Sequence, residues 1–351
     1  MDATSHERLI GATPIAANIA EGFTTKEAAM SAALRYGRFS TYAWATLAYN
    51  LAVVAWGAYV RATSSGAGCG SHWPLCNGEM IPRAPRIETV IELTHRLSSG
   101  LALLFVVGLF LWARKIYMAR HPARRAAGYA ILFMFAEALI GAGLVLFRLV
   151  AHNDSMARAA YLSVHLVNTF LLLAAIALAA WWASGGKPVR FRGQERIVQV
   201  FSICAVLAML VLGVSGAVTA LGDTLFPSAS LAAGFKQDLE PAAHFLIRLR
   251  VFHPVIAIAV GLLLVAFADY SIRRRAASDA RTKRLASMLV YLVAAQLAIG
   301  AFNVGLLAPL ALQLVHLVFA DLMWIALVLL IAAMLAAKPD GRPADVLAVA
   351  A

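Results

Sequence analysis

Polar and apolar residues in this chain are sorted into long runs, with no sign of strict alternation. Eight apolar runs can be read at 40–60, 89–112, 129–149, 158–183, 197–220, 250–270, 286–307 and 312–335. Each is roughly 20 residues long, the length of helix that crosses a hydrocarbon core of about 30 Å. The period-two pattern of a membrane strand is missing from all of them, which excludes a β-barrel reading. The pattern predicts an all-α polytopic membrane protein with eight transmembrane helices. Residues 1–39 form a tail broken by Glu7, Glu21 and Glu27, without the basic start and apolar centre of a signal peptide. An interfacial helix is expected there around Thr25–Arg35, and a second tail at 337–351.

The runs also repeat. Gly57-Ala58 near the end of the first matches Gly216-Ala217 near the end of the fifth, 159 residues later. Glu137-Ala-Leu-Ile-Gly141 in the third matches Gln296-Leu-Ala-Ile-Gly300 in the seventh at the same offset of 159. Four helices per repeat give both copies the same orientation, so the expected architecture is two parallel four-helix-bundle repeats. The halves are 40–184 and 197–336, joined by a basic linker at 185–196.

Composition agrees with a membrane protein. The chain is 62% hydrophobic and only 14% charged, where a soluble domain carries about a quarter. A net charge of +12 would fit nucleic acid, but the distribution rejects that reading. Arg114, Lys115, Arg120, Arg124 and Arg125 share one loop, Lys187, Arg190, Arg192 and Arg196 another, and Arg273, Arg274, Arg275, Arg281, Lys283 and Arg284 a third. These loops lie on the side of the two tails, which carry Arg8, Lys26, Arg35, Arg38, Lys338 and Arg342. The positive-inside bias places that side, with both termini, in the cytoplasm. The expected partner of this charge is membrane lipid, with no nucleic acid.

On that topology the second, fourth, sixth and eighth runs all enter from outside. Each carries a histidine in its first turns: His95, His165, His253 and His316. Two share a context, Val164-His165-Leu166-Val167 and Val315-His316-Leu317-Val318. Ionisable residues in hydrocarbon are costly and mark function. Two imidazoles per half, from different helices at one depth, suit bis-histidine ligation of a planar macrocycle between helices. His6, His72, His121, His152 and His244 fall in tails or loops and are assigned no ligand role.

The second run carries Glu92, His95, Arg96 and Ser99 on one helix face. A carboxylate one turn from a haem ligand can accept a proton or stabilise developing positive charge. A plain ion pair with Arg96 is the competing reading. The matching position in the second half is Arg250, so one half is expected to do chemistry and the other to hold a cofactor. Glu137, aligned with Gln296, is expected to hydrogen-bond between helices, and Asp321, five residues after His316, to support that ligand. Cys204 is expected to be an inert packing residue. Cys69 and Cys76 share an outer loop, where a disulfide worth roughly 2–3 kcal/mol can form. A zinc site and a redox-active dithiol remain open.

These residues resemble the haem A synthase family. The resemblance rests on Gly57-Ala-Tyr-Val-Arg-Ala-Thr-Ser-Ser-Gly-Ala-Gly-Cys69, Trp73-Pro-Leu-Cys-Asn-Gly78 and Ile91-Glu-Leu-Thr-His-Arg-Leu97, and covers about residues 40 to 336. It implies oxidation of the C8 methyl of haem O to a formyl group, through a hydroxymethyl stage, giving haem A for terminal oxidases. Carried over by position, His95 and His165 would flank substrate haem O, and Glu92 would be the catalytic carboxylate. His253 and His316 would ligate a resident haem b, and Cys69 and Cys76 would be the outer-loop cysteine pair. Some members carry a second cysteine pair in the later half, whereas Gly222 to Arg250 here has none. The implied location is the cell (inner) membrane, and the implied partners are a haem O synthase and oxidase assembly factors, with a homo-oligomer left open. The competing classes are a bis-haem electron-transfer subunit such as a quinol dehydrogenase, and a haem carrier.

Overall fold

A computed structural model describes residues 14–275 and 279–336. Its helices are α1 (Pro14–Ala62), α2 (Ile87–Ile116), α3 (Pro122–Leu146), α4 (Met156–Ala183), α5 (Arg196–Leu225), α6 (Leu231–Leu239), α7 (Phe245–Arg250), α8 (Phe252–Arg275), α9 (Ala280–Gly305) and α10 (Leu310–Met334). Eight spans among them are long and apolar enough to cross a membrane, with α7 and α8 together supplying the sixth. The protein is an all-helical, multi-pass membrane protein.

Local chemistry sets the helix ends. His121 caps α3 by accepting from the Ala123 N–H, ahead of Pro122, whose fixed φ suits a first helical position. Ser155, Ser230 and Asp279 cap α4, α6 and α9 with their side-chain oxygens. The α9–α10 connection turns through Leu307 and Ala308, both at positive φ (60° and 53°), before Pro309.

Helices α1 to α4 close into one ring of neighbours, α1 on α2, α2 on α3, α3 on α4 and α4 on α1. Helices α5, α8, α9 and α10 close a second ring in the same way. The rings meet through α4 and α10, whose spanning windows are 50% and 61% buried against 22–28% for the other spans. At this seam Trp324 stacks on Phe170 (centroids 5.1 Å, 13° between planes), and its Nε1 donates to the Phe170 carbonyl at 2.6 Å. Lipid competes with any apolar surface, so such packing and hydrogen bonding, rather than hydrophobic exclusion, hold helices together here.

The structure corrects several expectations. Helix α1 runs unbroken from Pro14, so the stretch Thr25–Arg35 is part of a long helix and not a separate interfacial one. The third span starts at Pro122, seven residues before the apolar run, because a capped helix continues through basic sequence. It stops at Leu146, before the positive φ of Arg148 (56°). The sixth span is broken at Val251 and preceded by the unexpected α6. Cys204 is exposed on α5, so it is not a packing residue. The tails at 1–13 and 337–351 lie outside the described residues.

The seam yields a prediction. Trp324→Ala is expected to lower stability in detergent by about 3 kcal/mol, as large-to-small changes do in tight packing. Trp324→Phe keeps the ring stack and loses one hydrogen bond, for about 1 kcal/mol. Reversible unfolding in mixed micelles measures both, and equal losses would show that the stack does not join the rings.

Candidate functional site

Each histidine is carried by a different helix. His95, His165 and His316 lie 8, 9 and 6 residues into α2, α4 and α10, or about 9–14 Å along helices rising 1.5 Å per residue. His253 follows the Val251 break, at the start of α8.

In the second half the His253 and His316 imidazoles lie edge-on to one another, with centroids 6.4 Å apart and planes at 84°. Ser215 Oγ donates to the Leu212 carbonyl at 2.8 Å and lies 2.9 Å from His253 Nδ1. The hydroxyl has one proton, so Nδ1–H is the donor to Ser215. That leaves a lone pair on His253 Nε2, the tautomer a metal ligand needs. On the other side the Gln296 amide donates to the His316 carbonyl at 3.0 Å and lies 3.3 Å from its Nε2. His316 Nδ1 is buried without a partner.

The first half is built differently. Glu137 Oε1 and Oε2 accept from Thr169 and Asn168, each at 2.5 Å, so the carboxylate of α3 is fixed to α4. His165 Nδ1 lies 3.3 Å from Glu137 Oε1 but off the angle of a hydrogen bond. His95 Nδ1 is also buried and unpartnered.

Three rings rest in notches left by glycine. A Cβ on Gly57 would stand 2.9 Å from His95 Cε1, one on Gly216 3.1 Å from His253 Cε1, and one on Gly300 3.2 Å from His316 Cε1. A Cβ on Gly141, the counterpart of Gly300, would meet nothing within 4 Å. The glycine pairs that mark the repeat in the sequence are therefore, in three cases, the floors on which the imidazoles lie. Sequence reading had the signal and missed this role, as it missed Ser215.

Glu92 is 3% exposed and both its oxygens are engaged. Oε2 accepts from the Cys69 N–H at 2.8 Å, and Oε1 from Arg96 Nε and Nη2 at 3.1 and 2.5 Å. Arg96 Nη1 also donates to the His72 and Leu75 carbonyls at 2.7 Å. Cys69 and Cys76 are joined in a disulfide and almost wholly buried, so zinc at this pair is excluded. Glu92 and Arg96 thus fasten the disulfide loop onto α2. At the matching place in the second half Arg250 performs the same task with opposite charge. It hydrogen-bonds Asp238, and lies 3.4 Å from Asp223 and 3.2 Å from Ser228 Oγ. Asp321 is 1% exposed with both carboxyl oxygens unpartnered, and nothing links it to His316.

The residues fit haem better than a bare ion. Among the described residues no group of three or more His, Cys, Asp or Glu could hold a metal ion, whereas a structural zinc takes four protein ligands. Haem iron already has its equatorial ligands and needs two axial ones. Imidazole nitrogens about 2 Å from a metal on opposite sides hold their ring centroids about 6 Å apart, close to the 6.4 Å seen for His253 and His316.

Fold and site define a membrane helix-bundle protein with a pair of histidines in each of two rings. The chain belongs to the Cytochrome oxidase assembly protein family, whose sequence profile matches residues 40–328. It is 53% identical over 295 residues to the Protoheme IX farnesyltransferase of two Thermus thermophilus strains, a match covering 84% of this chain and 48% of that protein. It is 41% identical over 110 residues to the Heme A synthase of Alkalihalophilus pseudofirmus, covering 31% of this chain and 37% of the relative. It is 37% identical over 155 residues to that of Halalkalibacterium halodurans, covering 42% and 49%. The chain thus spans about half, or less, of the length of these curated relatives.

The notches can be tested by filling them. Gly57→Ala is expected to displace His95 and weaken haem retention in the first half about tenfold, the usual scale for disturbed ligand support. Gly141→Ala should leave it unchanged. Haem titration followed by absorption compares them, and equal behaviour of the two variants would refute the notch.

Proposed function

We propose that this protein oxidises the C8 methyl of haem O to a formyl group, through a hydroxymethyl stage, and so makes haem A for terminal oxidases. The observation that carries this reading is the pair of histidines in each ring of helices, with His253 and His316 spaced for one iron. The Heme A synthase relatives support the same substrate. So does the 53% identity to a protein named for farnesyl transfer to protohaem IX, the reaction class that supplies a farnesylated haem. In this reading His95 and His165 hold substrate haem O, and His253 and His316 hold a resident haem b. The two rings are parallel repeats, and the basic loops and termini face the cytoplasm.

When bound, haem b supplies one-electron redox chemistry. The chain's own residues do the rest. Gly57 and Gly300 seat their imidazoles, Ser215 fixes the tautomer of His253, and Glu137 sets a negative charge beside His165. Glu92 stands one helical turn from His95, where a carboxylate can take a proton lost from the methyl or offset positive charge on that carbon. Its charge is already held by hydrogen bonds from Arg96 and the Cys69 N–H, which oppose protonation. That engagement favours a second reading, a bis-haem electron-transfer subunit in which Glu92 only anchors the loop.

Two variants decide these roles. His253→Ala or His316→Ala should remove most low-spin haem b from the purified protein, because loss of one axial imidazole opens the iron. Full retention of an unchanged bis-histidine spectrum in both would refute the assignment of haem b to the second ring.

Glu92→Gln keeps the shape and can still accept a hydrogen bond, but it removes the charge. On co-expression with a haem O source it should insert, retain haem b and accumulate haem O or the hydroxymethyl form. Extracted pigment gives the answer. Wild-type yields of haem A would leave Glu92 as a loop anchor.

A further inference from the structure

Two guanidiniums lie near the outer end of the seam between the two rings, and neither hydrogen-bonds a carboxylate among the described residues. Arg61, in the last turn of α1, reaches into the second ring. Its Nη1 donates to the Ala220 carbonyl at 2.7 Å and to Thr224 Oγ1 at 2.8 Å, and its Nη2 lies 3.4 Å from Gln313 Oε1. Arg61 and Ala220 are 159 residues apart, the offset of Gly57 and Gly216, so the side chain bonds its own repeat counterpart. Arg158, near the start of α4, is 2% exposed. Its Nη1 donates to the Ala151 and Asn153 carbonyls at 2.5 and 2.7 Å, and its Nε is buried without a partner.

The two cations repel one another. Their surroundings also touch, since Ala159 packs with Leu221, the neighbour of Ala220. Asp223 attracts Arg61 but lies 3.4 Å from Arg250, which also holds Asp238. Arg250 therefore has two carboxylates in contact, while the hydrogen bonds of Arg61 and Arg158 go to neutral oxygens alone and Asp223 acts on Arg61 only from a distance. Burying cations without a counter-charge is costly, and an unfilled guanidinium donor is suited to a carboxylate.

Position says which carboxylate. Arg61 lies one turn beyond Gly57, which seats His95, and its acceptor Ala220 one turn beyond Gly216, which seats His253. The third acceptor, Gln313, is on α10 three residues before His316. We propose that Arg61 and Arg158 form a carboxylate-binding subsite for the acidic side arms of the tetrapyrrole held by His253 and His316. The subsite belongs to the second ring although both arginines come from the first, so the seam is part of the ligand site. This inference rests on reading His253 and His316 as a haem pair.

The test compares haem b with its dimethyl ester, which has the same iron and ring but no free carboxylates. Full-length protein made under haem limitation is titrated with each in micelles, and the bis-histidine spectrum is the readout. Wild type should bind the diacid about tenfold more tightly than the ester, the scale of a charge-assisted hydrogen bond. Arg61→Gln should lose most of that preference while keeping the spectrum, and Arg61→Lys should restore part of it. Arg158→Gln serves if Arg61→Gln fails to insert. Equal binding of both haems by wild type, or the same preference in wild type and both glutamine variants, overturns the subsite and leaves the histidine pair standing. A spectral response of wild type to millimolar formate with no preference between the haems would show a free-anion site and overturns it too. If neither haem gives a bis-histidine spectrum, the reading of the pair falls and the subsite with it.

Discussion

Imidazoles buried in the bundle, with Nδ1 of His95, His165 and His316 left without a hydrogen-bond partner among the described residues, are the constraint on which the structure turns. A soluble protein would answer an unmet buried nitrogen with water. Here the surroundings are hydrocarbon and close-packed helix, so the unmet groups are costly. Everything near the rings serves to keep those nitrogens free and in place. Glycine on the neighbouring helix leaves room for the rings of His95, His253 and His316, and Ser215 engages Nδ1 of His253. Stabilising contacts sit further off, in the Trp324–Phe170 stack and in the loop anchors at Glu92 and Arg250.

The two anchors show how a repeated fold diverges. Both rings fasten a loop to a helix through a charged, buried side chain. In the first ring a carboxylate does this, accepting from backbone and arginine, and a disulfide closes the loop. In the second ring a guanidinium does it, with two aspartates and a short helix, and among the described residues the loop has no cysteine. Opposite charges at these two positions go with different sets of loop partners. The absence of a second cysteine pair in Gly222 to Arg250 is therefore matched by a polar clamp at the same place.

Much of this was legible in the sequence, for identifiable reasons. Span number follows from run length, because hydrocarbon tolerates only long apolar helices. The histidines stood out because ionisable groups in such runs are rare, and Glu137 showed its role by aligning with Gln296. What stayed hidden depends on three-dimensional neighbours. The break at Val251 falls at the mixed start of an apolar run, between Arg250 and His253, where Pro254 three residues later was a signal left unused, and α6 has only nine residues, too short for a periodic signal. Gly57, Gly216 and Gly300 were visible as repeat markers, but only their distance to an imidazole shows why they are glycine. Arg61 looked like one more basic residue near a span end until its partners on α5 and α10 were seen.

The same alignment points to why the rings differ in chemistry. Glu137 and Gln296 occupy matching places, each beside the histidine of the following span. A carboxylate this close to an imidazole stabilises positive charge on the ring or on a metal bound to it. An amide of the same length can position the ring but brings no charge. With Glu92 on the neighbouring helix, the first ring places two carboxylates near its histidines. The second ring surrounds its pair with a hydroxyl, an amide and the guanidiniums at the seam. Negative charge beside one ligand set and neutral or positive charge beside the other is an electrostatic gradient between two sites of common architecture. On the function proposed above, that difference suits one site to an oxidisable substrate and the other to a resident redox group of nearly identical shape.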